Sequence, residues 1–255
     1  MDLLFEPLQE ADLDEFTTTY WNAFEPIEVD MIFPSIYPNG LQTDLLAKLR
    51  HRMLTSAGGN LASSCFCAKD ASSNAIVGIA RWMVVQDPPR TREEMEAKHA
   101  KGLATKQFEP PVAGEVKALD DAWFRQCMFS EMETMAGHDS YILLKLLAIH
   151  TDHQRQGVGT FLLEKCLEEA DRRELPVYLD SSVGGKDLYE RLGFKNLGRI
   201  DFDARDCELR SFRQSSSIYG LANSFFVTLD GGRSHGLHWR MVRPAHKPNT
   251  QCQQQ

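Results

Sequence analysis

The densest run of chemically capable residues is His150–Thr160, HTDHQRQGVGT. It follows the apolar run Tyr141–Ile149 and leads into Val158, Leu162, Leu163, Cys166, Leu167 and Ala170, which recur at helical spacing. A strand, a turn and a helix are the simplest reading. The turn then lies where the first backbone N–H groups of a helix have no intrahelical partners. Gly157 and Gly159 remove side chains, so a ligand can approach the backbone closely. Gln154, Arg155 and Gln156 add donors and one positive charge. The chemistry this suits is capture of a phosphate or pyrophosphate, to which the helix dipole contributes about 0.3–1 kcal/mol and direct hydrogen bonds more. The GxGxxG order of a dinucleotide site is absent, and no Gly-Lys-Ser/Thr follows as in a P-loop.

The elements that must hold this turn can be read on either side of it. Residues 2–8 resemble a short strand. Asp12 with Glu15 predicts a capping box, followed by a helix bearing Leu13, Phe16, Tyr20 and Phe24. A second helix is expected over Leu41–Leu54, with Leu41, Leu45, Leu49 and Met53 on one face. Ser64–Ala68 and Ala75–Val85 predict a strand pair joined through Asp70–Asn74. From 87 to 136 the pattern changes to Pro88-Pro89, Pro110-Pro111 and dense charge, with helical stretches at Arg92–Gly102 and Val116–Met135. This segment reads as an insertion covering one face. YILLKLLAI, Tyr141–Ile149, reads as a central strand buried on both faces. Val177–Leu179 is the next strand, Lys186–Leu192 a short helix ended by Gly193, and Lys195–Asp203 another strand. Ser224–Leu229 and Leu237–Val242 suggest a final hairpin. The result is a mixed α/β domain whose parallel pair should cross over right-handed.

Composition narrows the classes. The 255 residues, 42% apolar and 25% charged, suffice for one sizeable domain, expected over 1–246 with a disordered tail at 247–255. The 28 Lys and Arg against 36 Asp and Glu leave a net charge of −8. Neither nucleic acid nor an anionic membrane is therefore expected as a partner. The acidic start MDLLFEPLQEADLDEF does not look like a signal peptide, and no run approaches the ~20 apolar residues of a membrane span. The six cysteines are scattered and read as free buried thiols rather than a metal site. A cytosolic or nuclear protein is expected.

The motifs resemble one family, the GNAT acetyltransferases. Gln154-Arg155-Gln156-Gly157-Val158-Gly159 fits their Gln/Arg-x-x-Gly-x-Gly/Ala signature after the fourth strand. Leu147-Ala148-Ile149 is similar to the family's strand end, and Asp187-Leu188-Tyr189-Glu190-Arg191-Leu192-Gly193-Phe194 resembles its LYExxGF segment. The resemblance is specific over 141–200, looser over 2–86, and absent over 87–136 and 205–223. It implies a mostly antiparallel mixed sheet splayed between strands 4 and 5, flanked by helices, with the helical insertion added. It also implies that acetyl-CoA is the co-substrate. The pyrophosphate would lie on the turn Gln154–Thr160, chiefly on the amides from Arg155 to Thr160 and so including Val158 and Gly159. Pantetheine would pair with Leu147, Ala148 and Ile149. Tyr189 matches the tyrosine that protonates the departing thiolate in many members. A thiol of pKa about 8.5 and a phenol of about 10 are close enough for that hydrogen bond to be useful. Where many members carry asparagine before the last motif helix, Ser181 or Ser182 supplies the polar contact, with Ser182 the choice. The histidine pair of the arylalkylamine-acetylating branch falls on Leu143 and Lys145, so that base arrangement is missing.

The implied reaction is direct transfer of an acetyl group to an amine of a small molecule through a ternary complex and a tetrahedral intermediate. No cysteine adjoins the motif as a nucleophile. Alternatives are transfer to a protein or peptide amine, and a non-catalytic acyl-CoA-binding module. An alkyl amine of pKa about 10.4 is neutral in only about one molecule in 2,500 at pH 7, so a general base is required. Glu131, Glu133, Asp139 and His150 are candidates, with Glu133 the choice. The acceptor pocket is expected from the N-terminal helices and the insertion, lined from among Trp21, Phe24, Phe33, Tyr37, Trp82, Trp123 and Phe124. A monomer or homodimer is expected.

Overall fold

A computed structural model of the chain describes residues 1–24, 32–56, 58–121, 123–124, 139–182, 184–202 and 236–245. Seven strands are β1 (Leu3–Pro7), β2 (Cys65–Asp70), β3 (Ile76–Gln86), β4 (Ser140–Ile149), β5 (Val177–Ser182), β6 (Lys195–Phe202) and β7 (Gly236–Arg243). They form a sheet in the order β1-β2-β3-β4-β5-β7-β6. Every neighbouring pair is antiparallel except β4 and β5, which are parallel. That parallel pairing is short, joining Ile142–Leu144 to Val177–Leu179. Beyond it β4 stays on β3, while Asp180–Ser182 of β5 stay on β7. The two strands part, and the sheet is splayed where the family resemblance implied.

The strand YILLKLLAI is not regular. Trp82 pairs with Leu144 and the next residue, Arg81, with Leu146, so Lys145 is an extra residue bulged out of the ladder. Alternate residues of a strand face one way. Here Ile142 and Leu144 join one core, whereas Leu146 and Ala148 join the core on the opposite face.

Helices α1 (Leu13–Phe24), α2 (Ile32–Ile36), α3 (Thr43–Ser56), α4 (Arg92–Lys106), α5 (Val158–Arg173) and α6 (Lys186–Arg191) complete the described elements. α5 buries Val158, Leu162, Leu163, Cys166, Leu167 and Ala170 against one face of the sheet with Val77, Ala80 and Trp82. α1 buries Leu13 and Phe16 against the other, with Ile79, Leu146 and Ala148. The expected Asp12–Glu15 capping box does not form. A 3-10 turn over Glu10–Asp12 moves the cap upstream, and Asp12 accepts from Gln9 N at 3.0 Å. Glu15 is drawn instead to the first amide of β3, accepting from Ile76 N at 2.8 Å.

The expected insertion packs through its middle. α4 is mostly exposed, capped by Thr91 and Glu94, but its last residue, Lys106, is buried. Residues 117–121 and 123–124 are helical, and Leu119, Val116 and Trp123 pack with Trp21, Phe33, Ile36, Tyr37 and Leu45. Beneath them runs a buried ion network. Arg52 of α3 holds Glu109 through two bonds of 2.8 and 2.7 Å, reaches Asp120 and donates to the Tyr37 hydroxyl at 2.9 Å. Lys48, only 1% exposed, pairs with Glu115 and with Glu109 at 3.3 Å, and Lys106 pairs with Asp120 at 2.8 Å. Burial would raise the Asp120 pKa, but the Arg52 and Lys106 cations hold it below its ordinary value.

Leu237–Val242 lies within β7. The proposed partner strand Ser224–Leu229, the rest of the Val116–Met135 helix beyond 124, and the tail 247–255 lie outside the described residues. Among the described residues no helix is long and apolar enough to cross a membrane, and no group of three His, Cys, Asp or Glu could hold a metal. Cys65, Cys67 and Cys166 are free and buried, and burial raises the pKa of all three thiols.

Candidate functional site

The turn after β4 leaves the start of α5 uncapped and open. Arg155 has φ +60° and Gly157, the N-cap of α5, has φ +89°; the second value favours glycine. No side chain caps the helix. Its first intrahelical bond is Phe161 N to Gly157 O at 2.9 Å, so the amides of Val158, Gly159 and Thr160 precede the ladder. A Cβ on Gly157 would meet nothing within 4 Å, which marks open space over the turn. Gly159 is tighter: a Cβ there would lie 3.4 Å from Leu188 Cδ2 of α6 and 3.6 Å from Ile149. The two glutamines brace the turn from within. Gln154 Nε2 donates to Ile149 O at 3.3 Å and Gln156 Nε2 to Asp152 O at 2.8 Å. Arg155 is exposed.

Leu147, Ala148 and Ile149 run along the β4 edge that β5 has left, directly before this turn. Across the opening, β5 ends at Ser181 and Ser182. The Ser181 hydroxyl donates to Ser182 O at 2.8 Å, and Ser182 is half-buried. Tyr189 of α6 is 8% exposed and packs edge-on to Phe194, with ring centroids 5.6 Å apart. Burial raises its pKa, so the phenol stays protonated at neutral pH. Among the described residues its hydroxyl has no hydrogen-bond partner.

On the opposite face of the sheet, at the Lys145 bulge, lies a cavity of about 190 Å³. Thr17 and Tyr20 of α1, Leu49, Arg52, Met53 and Ser56 of α3, Arg81 of β3 and Lys145 and Leu146 of β4 line it. The described part of the insertion does not reach this wall; it supports it by neutralising Arg52.

Residues 131–204 match the model of the acetyltransferase (GNAT) domain. An acetyltransferase of Stachybotrys chartarum is 26% identical over 156 residues, covering 59% of this chain and 61% of its own length. Over residues 131–204 the chain is thus similar to the acetyltransferase (GNAT) domain. Solved structures agree on the fold. A mosquito arylalkylamine N-acetyltransferase (like 5b) superposes with a TM-score of 0.61 at 14% identity, covering 94% of this chain and 99% of its own. The Drosophila melanogaster polyamine N-acetyltransferase gives 0.59 at 13%, with 94% and 99% covered.

Within the GNAT fold the remaining expected residues scatter. Glu131 and Glu133 lie outside the described residues. Asp139 is exposed and pairs with Arg90 at 3.1 Å, at the start of β4 and far along the strand from the bulge. His150 caps the turn: its Nδ1 accepts from Asp152 N at 3.3 Å. Of the aromatic residues expected around the acceptor, Trp21, Phe33 and Tyr37 form the core between α1, α2 and α3, with Phe24 against it. Trp123 and Phe124 are half-buried on the insertion, Lys106 Nζ lying 4.9 Å over the Phe124 ring. Trp82 faces the α5 side, stacked 4.0 Å from Phe66, because its neighbour Arg81 takes the α1 side. Arg81, Thr17 and Tyr20, which line the cavity at the bulge, do not stand among the expected residues. A lone arginine inside the apolar strand IVGIARWMVV was the available signal.

Proposed function

We propose that this protein transfers an acetyl group from acetyl-CoA to the amine of a small molecule. The observation that carries the reading is the uncapped, glycine-opened N-terminus of α5 set at the end of the β4 edge that β5 abandons. A pyrophosphate suits the first, through the amides of Arg155 to Thr160 and the dipole of α5. An extended amide-bearing arm suits the second, as an added strand on Leu147–Ile149. The acceptor cavity opens beside the same stretch of β4, and its size favours a small amine over a peptide.

The chemistry follows from these positions. The neutral amine attacks the thioester carbonyl, a tetrahedral intermediate forms, and the carbon–sulfur bond breaks. Tyr189 gives its proton to the leaving thiolate, a role its raised pKa and unpartnered hydroxyl support. Glu133 is assigned the proton from the amine. Purified protein should release free CoA thiol with small amines, and far less with peptides of matched terminal sequence. Acetyl-CoA binding without thiol release for any amine would reduce the protein to a binding module.

A further inference from the structure

Among the described residues the cavity at the bulge is lined by three cationic side chains, Arg52, Arg81 and Lys145, and by no carboxylate. Arg52 is already matched by Glu109 and Asp120. Arg81 is not. Its Nε is buried without a hydrogen-bond partner, and none of the described carboxylates pairs with its guanidinium. The second buried side-chain atom left without a partner among the described residues is the Thr17 hydroxyl, in a residue that lines the same cavity and is only 1% exposed. Buried polar atoms are nearly always paired, and a buried charge more so. Two orphans in one cavity, a cation and a hydroxyl, describe a receptor for an anionic group. Tyr20, Leu49, Met53 and Leu146 supply apolar wall beside them.

We propose that the acceptor amine carries a carboxylate, which the guanidinium of Arg81 and the hydroxyl of Thr17 receive: the substrate class is an amino acid with an apolar side chain. This rests on the acetyltransferase reading given above. A planar guanidinium matches a carboxylate with two parallel bonds, and the hydroxyl adds one more donor. With its carboxylate on Arg81, such an acceptor has its amine free to turn toward Lys145 and the opening between β4 and β5. A polyamine, by contrast, would bring further positive charge against Arg81.

The test compares each amino acid with its decarboxylated amine: L-phenylalanine against phenethylamine, and L-leucine against isopentylamine. Thiol release from acetyl-CoA should favour the amino acids by about 100-fold in kcat/KM, since a site built for a polar group leaves its own groups unpaired when that group is missing. Arg81→Gln should raise KM for the amino acids by about 100-fold with little change in kcat or in acetyl-CoA affinity, and should erase the preference. Arg81→Lys should recover part of it. Thr17→Val, nearly the same shape, should raise KM about tenfold and guards against misfolding of the arginine variants. Equal use of both members of each pair, better use of the amines, or better use of aminoalkyl phosphonates would overturn the proposal. So would losses in Arg81→Gln that are the same with and without the carboxylate. If no acceptor yields thiol, the acetyltransferase reading fails separately. Calorimetric binding of the amino acids, abolished in Arg81→Gln, would then still support the carboxylate receptor, and absence of that binding would end it.

Discussion

The two sides of the sheet opening use different materials. The side proposed for the donor consists of backbone: amides of Val158–Thr160, the edge of Leu147–Ile149 and a glycine at φ +89°. The side proposed for the acceptor consists of side chains with long lever arms, Arg52 and Arg81 among them, gathered from α1, α3, β3 and β4 and propped by a buried ion network. Backbone recognition needs a contiguous segment, so its chemistry is written in one stretch of sequence. Side-chain recognition draws on residues from Thr17 to Leu146 and changes with any one of them. A fold can thus keep one donor and exchange its acceptors, because the two tasks share few atoms.

That division can be broken most severely at the turn. Gly157→Asp puts a carboxylate and a strained φ where a pyrophosphate is proposed, and Gly159→Asp adds bulk against Leu188 and Ile149. Calorimetry should show acetyl-CoA affinity lost by at least about 100-fold in each, since a like charge replaces a site for an anion. Retained affinity in folded Gly157→Asp would move the donor site elsewhere. Tyr189→Phe should lower kcat by about 100-fold and leave acetyl-CoA affinity within a few fold. An unchanged kcat, when chemistry limits, would return Tyr189 to the core with Phe194.

Asp120→Asn sharpens the comparison from the other side. It leaves Arg52 and Lys106 short of a buried partner and should cost about 3 kcal/mol of stability, read from denaturant unfolding. KM for the amine should rise while acetyl-CoA affinity of the folded fraction holds. The same carboxyl gives a pH signature. Its folded pKa lies below the ordinary 3.8, so its contribution is whole above that value and is lost as pH falls through the lower folded value. Acid titration below about pH 4 should show a stability loss that Asp120→Asn flattens. The smallest effect is expected for Gln156→Ala, which removes one exposed brace of the turn and should weaken acetyl-CoA binding by about 0.5 kcal/mol, roughly twofold. A tenfold loss would mean that Gln156 meets the ligand directly.

The elements were legible where apolar spacing alone decides them. α3 is expected over Leu41–Leu54 and found over Thr43–Ser56, and β6 is expected over Lys195–Asp203 and found over Lys195–Phe202. Helix starts were harder, because Asp12 and Glu15 each had a competing donor, Gln9 N and Ile76 N. The turn itself, with its open helix start, was legible from its glycines. The cavity proposed for the acceptor was not, since consecutive residues on a strand point to opposite faces. Trp82, bulky and aromatic, looked like a lining residue, yet it stacks on Phe66 under α5 while its neighbour Arg81 faces the cavity. A removal of residues 87–136 also takes on a new meaning. It would strip Lys48 and Arg52 of Glu109, Glu115 and Asp120, so the loss would be felt in folding as well as in the amine's KM.

The extra residue in β4 has a further consequence. Without Lys145, the order Ile142, Leu143, Leu144, Leu146, Leu147, Ala148, Ile149 alternates without interruption, and every apolar side chain keeps the face it now has. Arg81 and Trp82 already pair with Leu146 and Leu144 as though nothing stood between them. The hydrophobic layers therefore do not require the bulge. It is a single-residue insertion into the β3–β4 ladder, so the layers of the core follow from the apolar order of the strand and the local break in pairing from one lysine.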